Sequence, residues 1–389
     1  MRSRLDYPTV SGLTCLVMFL AFHEMQRAKV RFGLLAGAVG LLVFLILFQQ
    51  TLLTGLINQF IGALKHQSGE VLVYNGQARK NLEGSIILPE QQAAIATVDG
   101  VAIASPLGEA TFTVTAGGKE RDAVIFGYQL GKPGAPTTLV AGRLPSADNE
   151  AVASEKDVAD GYDIGDVVQV QPDGARITVV GLASDINYSV QAVLFVDFAT
   201  YESAKRTRNP DATSILPSAI AIEVAPGSSA AAVAARINEQ VDGVQALTRQ
   251  EAVDGSPGVS SVRSSFAIIL GLFYLVVPLV TGLFFLIVTF QKASSLTLLR
   301  AIGARSRTLI VSLLIQVVVI IAVGSLLAFG MYAGAIQGVK NLGVHPEVGP
   351  AVTTSLIVLA LSLLTSMVAI RRVLRLDPLA ATTGAAVTL

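Results

Sequence analysis

Four stretches of the chain are apolar over a length that spans a lipid bilayer, roughly 17–25 residues at 1.5 Å rise each. The first starts at Phe32 and runs uncharged to Phe48, and its pattern predicts a helix continuing through the more polar QQTLLTGLINQF to Phe60. The second, Phe266 to Phe290, carries no charge and has Pro278 near its middle as the expected kink. The third covers about Leu309 to Met331 and the fourth about Val352 to Ile370. Between the first and second lie some two hundred residues of a different kind, in which short alternating runs predict strands. EVLVYN (Glu70–Asn75) and AIAIEV (Ala219–Val224) are two of them. ATFTV and DAVIFGY on either side of Ala116-Gly117-Gly118 form an expected hairpin, as do DVVQV and RITVVGL around Asp173-Gly174. VLFVDFATYESAKR passes from strand to helix, and SSAAAVAARINEQV is a helix capped at Ser228 or Ser229.

The expected fold is therefore a membrane protein: four transmembrane α-helices with a large α+β extracytoplasmic domain between the first and second. The boundaries follow from the pattern. Residues 1–31 form a cytoplasmic N-terminus, 32–60 the first helix and its stalk, and 61–262 the extracytoplasmic domain. Residues 263–290 are the second helix, 291–308 a cytoplasmic loop, 309–331 the third helix and 332–351 an outer loop. Residues 352–370 are the fourth helix and 371–389 a cytoplasmic tail. In the N-terminus, Met18 to Lys29 suits an amphipathic helix along the inner membrane face, which makes Met18 a candidate start. Arg2, Arg4 and Leu13–Phe22 resemble a signal peptide only in outline, because AFHEMQ offers no small-x-small cleavage site.

Composition and charge sharpen this picture. The chain is 52% hydrophobic and 14% charged, against about 45–50% and 25% in a soluble domain. Its 28 basic and 28 acidic residues cancel, but they are segregated. Ile61 to Ser260 holds 14 basic and 24 acidic residues, leaving 14 basic and 4 acidic elsewhere. Arg27, Lys29 and Arg31 precede the first helix, Lys292, Arg300, Arg305 and Arg307 lie between the second and third, and Arg371, Arg372 and Arg375 follow the fourth. By the positive-inside rule both termini and the 291–308 loop are cytoplasmic, in the cell membrane. These cations are too sparse for a nucleic-acid surface.

Candidate chemistry is thin. Cys15 is the only cysteine, which excludes a disulfide scaffold, and His23, His66 and His345 are too dispersed for a two-histidine metal motif. Glu150, Glu155, Asp157, Asp160, Asp163 and Asp166 do not have the spacing of a calcium loop and read as a solvated acidic face. No GxxxxGK[ST] phosphate loop is present, so no ATP hydrolysis is expected from this chain and no enzyme activity is assigned to it. Gln49, Gln50, Thr51 and Thr54 stand out in the outer half of the first helix, where polar groups facing lipid are costly. They are either helix-packing groups or the wall of a laterally open substrate site. Gly33, Gly37 and Gly40 form a small-residue stripe suited equally to intrachain packing and to dimerisation.

The cytoplasmic loop carries the most informative motif. In QKASSLTLLRAIGARSRTL, Leu296, Leu299 and Ile302 recur at three-residue spacing on a short helix that Gly303 can end. Such a turn either lies on the lipid surface or plugs a pocket on a cytoplasmic partner, with apolar anchors and a basic rim. LLRAIGA (Leu298–Ala304), RRVLRLDPLAA after the fourth helix, and SPLG, GRLPSADNEAVAS and GYDIGDVVQV in the outer segment resemble the permease subunits of ABC systems of the MacB/FtsX type. The four-helix haem-exporter and DevC-like groups are the nearest in pattern. The resemblance covers the chain from Met18 onward. It implies a permease homodimer on two copies of an ABC ATPase subunit, with ATP and magnesium on that partner and no cofactor here. It also implies a coupling site at Leu296, Leu298, Leu299, Arg300, Ala301, Ile302, Gly303 and Ala304. Ser294 and Ser295 stand where many members have a glutamate, so an ion pair from that position is not carried over. The function implied is export of a hydrophobic or amphipathic compound. A transport-free relay of ATPase motion to an outer partner, such as a cell-wall hydrolase, and a stand-alone membrane sensor are the alternatives.

Overall fold

The computed structural model describes Gln26 and residues 28–291, 306–339 and 348–374. The chain divides into two compact units, a helical one up to Leu52 and from Ser265 onward, and a sheet-containing one from Leu53 to Ser264. The expected N-terminal amphipathic helix and the coupling loop lie outside the described residues, apart from Gln26, Ala28 and Lys29 of the first and Gln291 and residues 306–308 of the second.

The sheet unit is built on one ten-stranded mixed sheet. Its strands are β1 (Val71–Asn75), β2 (Val101–Ala116), β3 (Lys119–Tyr128), β4 (Leu139–Gly142), β5 (Glu150–Ser154), β6 (Val167–Val170), β7 (Arg176–Ala183), β8 (Ala192–Asp197), β9 (Ala219–Val224) and β10 (Val244–Thr248). They run β10-β1-β9-β2-β3-β8-β5-β7-β4, with β6 pairing β2 and β7. Most pairs are antiparallel, and β3–β8 and β5–β7 are parallel. The β2–β3 hairpin turns on Gly117 and Gly118, both with positive φ (56° and 75°), a conformation that the two-residue turn requires and that glycine adopts without strain.

Strand alternation sorts the side chains into two cores. Phe112 and Val114 of β2, with Ala123 and Ile125 of β3, pack with Val168, Ile177, Leu194 and Tyr201 on one face. Val124, Phe126 and Tyr128 point the other way, with Leu72, Tyr74, Phe195 and Ala221. Ala63 and Leu64, at the end of the first long helix, are fully buried in this second core. A third cluster lies under helix Ala230–Gln240, where Val71, Val73, Ile220 and Ile222 meet Val233 and Ile237. Of the two candidate caps for that helix, Ser229 is used, its side chain accepting from the Ala232 N–H.

The helical unit contains α1 (Lys29–Lys65, the part up to Leu52). With the helices of the sheet unit numbered in chain order as α2 (Pro89–Ala96), α3 (Phe198–Arg208), α4 (Ala230–Gln240) and α5 (Arg249–Gly255), the remaining long helices are α6 (Val259–Gln291), α7 (Ser306–Val339) and α8 (Val348–Leu374). α1, α6 and α7 are long and apolar enough to cross a membrane. In α8 the apolar stretch among the described residues is the shorter Val352–Val368, so three helices among the described residues have the length and composition of a crossing, where the sequence predicts four.

Phe32, Leu35, Ala36, Val39, Val43, Ile46 and Leu47 recur at three- and four-residue spacing on α1 and are all buried, against Val317, Ile320, Ile321 and Ala328 of α7 and Val277 and Phe285 of α6. Ile268, Leu272, Leu275, Leu279 and Leu283 form an exposed stripe on α6. In water that stripe would be an aggregation surface; in hydrocarbon it carries no penalty. At one end of the bundle the Arg31 guanidinium donates to the Gln291 amide oxygen at 2.7 Å. The glycine stripe of α1 is split by its surroundings. Gly40 lies against the Gly324 backbone of α7, whereas Gly33 and Gly37 have no neighbour within 4 Å of where a Cβ would be.

Candidate functional site

Two arrangements involve α1, one in each unit. The first is a polar node among the four long helices. Gln50 Nε2 donates to Tyr274 Oη of α6 at 3.2 Å, and its Oε1 accepts from Thr354 Oγ1 of α8 at 3.1 Å. Tyr274 Oη and Thr354 Oγ1 are themselves 3.3 Å apart, which closes a triangle. One residue on, Thr51 Oγ1 meets Tyr332 Oη of α7 at 2.6 Å, and Gln49 Nε2 reaches the Phe266 carbonyl at 3.4 Å. Consecutive residues of one helix turn thus bond to three other helices. In an apolar medium, where unpaired polar groups are costly, such bonds fix which faces meet. Gln49, Gln50 and Thr51 are half-buried with these partners; Thr54, the fourth residue singled out in the sequence, belongs to the sheet unit and is exposed.

The second arrangement clamps the end of α1. Ile61 breaks the helix (φ −141°, ψ 18°), and the chain resumes one short turn that buries Ala63 and Leu64. A break leaves carbonyls of the preceding turn without intrahelical partners. The loop Ser184–Gln191 supplies them: the Val190 N–H donates to the Gln59 carbonyl and the Ser189 N–H to the Phe60 carbonyl, both at 2.9 Å. In return the Ala63 N–H donates to the Asn187 carbonyl at 3.1 Å. Gly62 makes this approach possible, since a Cβ there would lie 2.2 Å from the Asp185 carbonyl oxygen. The loop is held in a demanding conformation, with Asp185, Ser189 and the β-branched Val190 all at positive φ. Left-handed geometry at a valine costs on the order of 1–3 kcal/mol and persists only where neighbours over-determine it.

Those neighbours are polar and mostly buried. Lys156 Nζ pairs with Asp185 Oδ1 at 2.7 Å, with both side chains largely out of water. Asn187 Nδ2 donates to Asp157 Oδ2 at 3.0 Å and to the Gln191 carbonyl at 3.2 Å, and its Oδ1 accepts from Ser154 Oγ at 3.0 Å. Burial raises the Asp157 carboxyl above its ordinary range, an effect the Asn187 hydrogen bond opposes. The acidic run is accordingly not one solvated face. Asp157 is drawn into this network, Glu150 pairs with Arg143 at 2.5 Å, Asp160 pairs with Arg121 at 2.7 Å, and the Asp166 carboxylate accepts from the Asp163 N–H. His66, just beyond α1, is partly buried, and burial followed by the Lys65 charge lowers its pKa. The clamp loop was not singled out in the sequence. Its one signal is a concentration of Ser, Asp and Asn between two apolar strands, which reads as an ordinary turn.

One further carboxyl in this unit has an oxygen without a partner among the described residues. Glu109 on β2 is 4% exposed, and its Oε2 has no hydrogen-bond partner among the described residues. Burial, with a smaller contribution from Glu83 and opposed by Lys205, pushes it up to about 7. An acid whose folded pKa lies above its unfolded value favours the protonated folded state, so its contribution falls as pH rises from about 4.5 through 7. A shift of this size corresponds to roughly 3 kcal/mol. Glu109→Gln should therefore raise stability at pH 8, leave it little changed at pH 5, and flatten the pH profile between, as read from denaturant unfolding. A profile unchanged by the substitution would contradict this assignment.

Apolar helices forming a membrane unit, with a mixed-sheet domain inserted after the first of them, define the chain as an ABC transporter permease once the matches to known families are considered. The chain belongs to the MacB/FtsX family: the MacB-like periplasmic core domain matches residues 32–240, and the FtsX-like permease C-terminal domain matches residues 267–378. It is 24% identical over 311 residues to a putative hemin transport system permease protein, HrtB, of Staphylococcus epidermidis, covering 80% of this chain and 83% of that protein. It is 26% identical over 370 residues to an uncharacterized ABC transporter permease of Mycobacterium tuberculosis, covering 93% and 98%. Among solved structures, the periplasmic region of MacB from Actinobacillus actinomycetemcomitans aligns at 12% identity with a TM-score of 0.36, covering 50% of this chain and 97% of that one. The chain is thus a membrane-embedded permease subunit, and its family works with an ATPase partner. Leu296, Leu298, Leu299, Arg300, Ala301, Ile302, Gly303 and Ala304 lie outside the described residues.

Proposed function

We propose that the protein is the permease of an ATP-driven efflux system that moves a hydrophobic or amphipathic compound outward, and that α1 relays the ATPase stroke to the sheet domain. The supporting observation is that a single helix carries both the polar node at Gln49–Thr51 and, past it, the clamped end at Gln59–Ala63. A helix is stiff along its axis, so displacement at one end is delivered to the other. In this reading two permeases pair on two ATPase subunits holding ATP and magnesium, all four long helices cross the cell membrane, and both termini are cytoplasmic. The sheet domain, which carries the acidic excess, then faces outward. The short helix from Leu296 to Gly303 seats in a pocket of the ATPase, with Leu296, Leu299 and Ile302 as apolar anchors and Arg300 at the rim. Gln49, Gln50, Thr51 and Thr54 line the outer-leaflet substrate path when the node opens. Because relatives are named as hemin transport permeases, hemin is the first compound to try.

The coupling assignment is tested by Leu299→Asp and Arg300→Glu in the full complex. Each should abolish transport while ATP hydrolysis by the free ATPase and the folding of the permease persist. An apolar anchor replaced by a charge at an interface core costs several-fold to a thousandfold in affinity. Full transport by both variants would remove the seat from this loop.

A further inference from the structure

Glu109 Oε2, without a partner among the described residues, has no part in the export reading. Along β2, pairing with β9 ends at Leu107 and pairing with β6 begins at Val114; between them the edge has no strand partner and is closed by Ser218 at Glu109, Arg208 at the Thr111 carbonyl and the Gln171 N–H at the Thr113 carbonyl. A cavity of about 660 Å³ lies along this stretch. Glu109, Thr111 and Thr113 line it from β2, Glu120 and Asp122 from β3, and Lys205 and Arg208 from α3, with Glu83 and Gln171 completing the wall. Of the two basic groups, Arg208 is held by other partners. Arg208 donates to the Thr111 carbonyl at 2.7 Å and stacks over the Phe112 ring, while Lys205 lies 5.8 Å from the centre of the Tyr201 ring. Asp122 accepts from Thr113 Oγ1 at 3.0 Å. Glu109 differs from all of these: it is almost wholly buried, lines the cavity, and its Oε2 has no partner.

A buried carboxyl left without a donor is costly unless something supplies one. Four carboxyls around a cavity of ligand size outnumber its two cations, of which Arg208 is turned to the Thr111 carbonyl and Lys205 stays coupled to Glu109, and this balance favours a positively charged occupant. A bare metal ion fits poorly, because among the described residues no three acidic, histidine or cysteine groups converge closely enough to hold one. From this geometry we infer that the β2-edge cavity is a binding site for a small organic cation of the polyamine type, whose ammonium groups donate to Glu109 and to the carboxylates of Glu83, Glu120 and Asp122. Lys205 is the resident competitor for Glu109: the two are charge-coupled, and burial lowers the lysine. Glu83 and the tyrosines Tyr188 and Tyr201, whose hydroxyls burial keeps protonated, are also coupled to this carboxyl.

The test is calorimetric titration of the full chain in lipid nanodiscs with spermidine and putrescine at matched ionic strength, with calcium and magnesium chloride as separate arms. Wild type should bind at least one polyamine saturably at pH 8. Because the proton competes for a carboxyl titrating near 7, affinity should fall about tenfold at pH 6. Glu109→Gln preserves the shape and the neutral form of the side chain, and it should weaken binding at least about tenfold and abolish the pH dependence. Lys205→Ala should tighten binding by removing the competing charge, while Asp148→Asn, outside the cavity lining, should change nothing. Absence of saturable binding of both polyamines at pH 8 would overturn the proposal. So would equal affinity of the Glu109→Gln variant, or calcium or magnesium binding with the same dependence on Glu109.

Discussion

Replacing Gly62 with valine is expected to silence transport while leaving the helices in the membrane. The residue follows the break at Ile61, and a Cβ there would sit 2.2 Å from the Asp185 carbonyl oxygen and 3.1 Å from that of Asn187. Both obstructing atoms are backbone, so a valine must displace the loop rather than rotate a side chain. Displacement breaks the bond from Ala63 to Asn187 and withdraws the Ser189 and Val190 donors from the Phe60 and Gln59 carbonyls. It also disturbs the buried Lys156–Asp185 pair. Overpacking of this kind costs about 1–3 kcal/mol, and a buried acceptor left without its donor adds a similar amount. The sheet domain should therefore unfold at lower denaturant concentration, by the equivalent of about 3 kcal/mol. In the complex, ATP hydrolysis should continue without efflux. Wild-type efflux by Gly62→Val would show that the clamp is not on the path of the stroke.

The second large effect is expected at Gly40. Here α1 and α7 approach backbone to backbone: a Cβ on Gly40 would meet the Gly324 carbonyl oxygen at 2.9 Å, and one on Gly324 would meet the Ala36 carbonyl oxygen at 3.0 Å. Gly40→Leu must push the helices apart, which removes close packing along the Val39–Ile46 face and strains the 2.6 Å contact between Thr51 and Tyr332. With no difference in solvation to drive helices together in lipid, such packing is the main source of association. A loss of about 2 kcal/mol in the reversible unfolding of the detergent-solubilised protein is the expected outcome. Gly37→Leu is the control, because nothing lies within 4 Å of its Cβ position, and it should stay within about 0.5 kcal/mol of wild type. If the two variants behaved alike, the α1–α7 contact would not be the one the glycine serves.

Three of the four expected membrane helices, α1, α6 and α7, are legible because a bilayer imposes a length on them, and the α1 pattern reaches Phe60 with the helix break falling at the next residue. The two hairpins were legible because Gly117-Gly118 and Asp173-Gly174 punctuate alternating runs. Strand β2 was only half visible. Pro106 and Gly108, both weak strand formers, hide its first half, so the alternating run begins at Ala110 and leaves Glu109 outside it. The short β10 and α2 have no periodicity long enough to stand out. The sequence allows Gln49, Gln50 and Thr51 either packing or substrate contact, and the structure gives each a partner on another helix. The clamp was not legible at all. Nothing local to Asp185–Val190 says that its backbone will meet residues far earlier in the chain, because that meeting is made by the sheet.

The proposed function requires the permease to convert ATP hydrolysis into movement of an amphipathic compound. Its most direct test is ATPase activity of the permease with its cognate ABC ATPase in liposomes, titrated with amphipathic compounds beginning with hemin. The expected result is a several-fold rise in turnover with one such compound, absent in Leu299→Asp and Gly62→Val. A rate indifferent to every amphipathic compound and raised only by a protein on the outer face would contradict export.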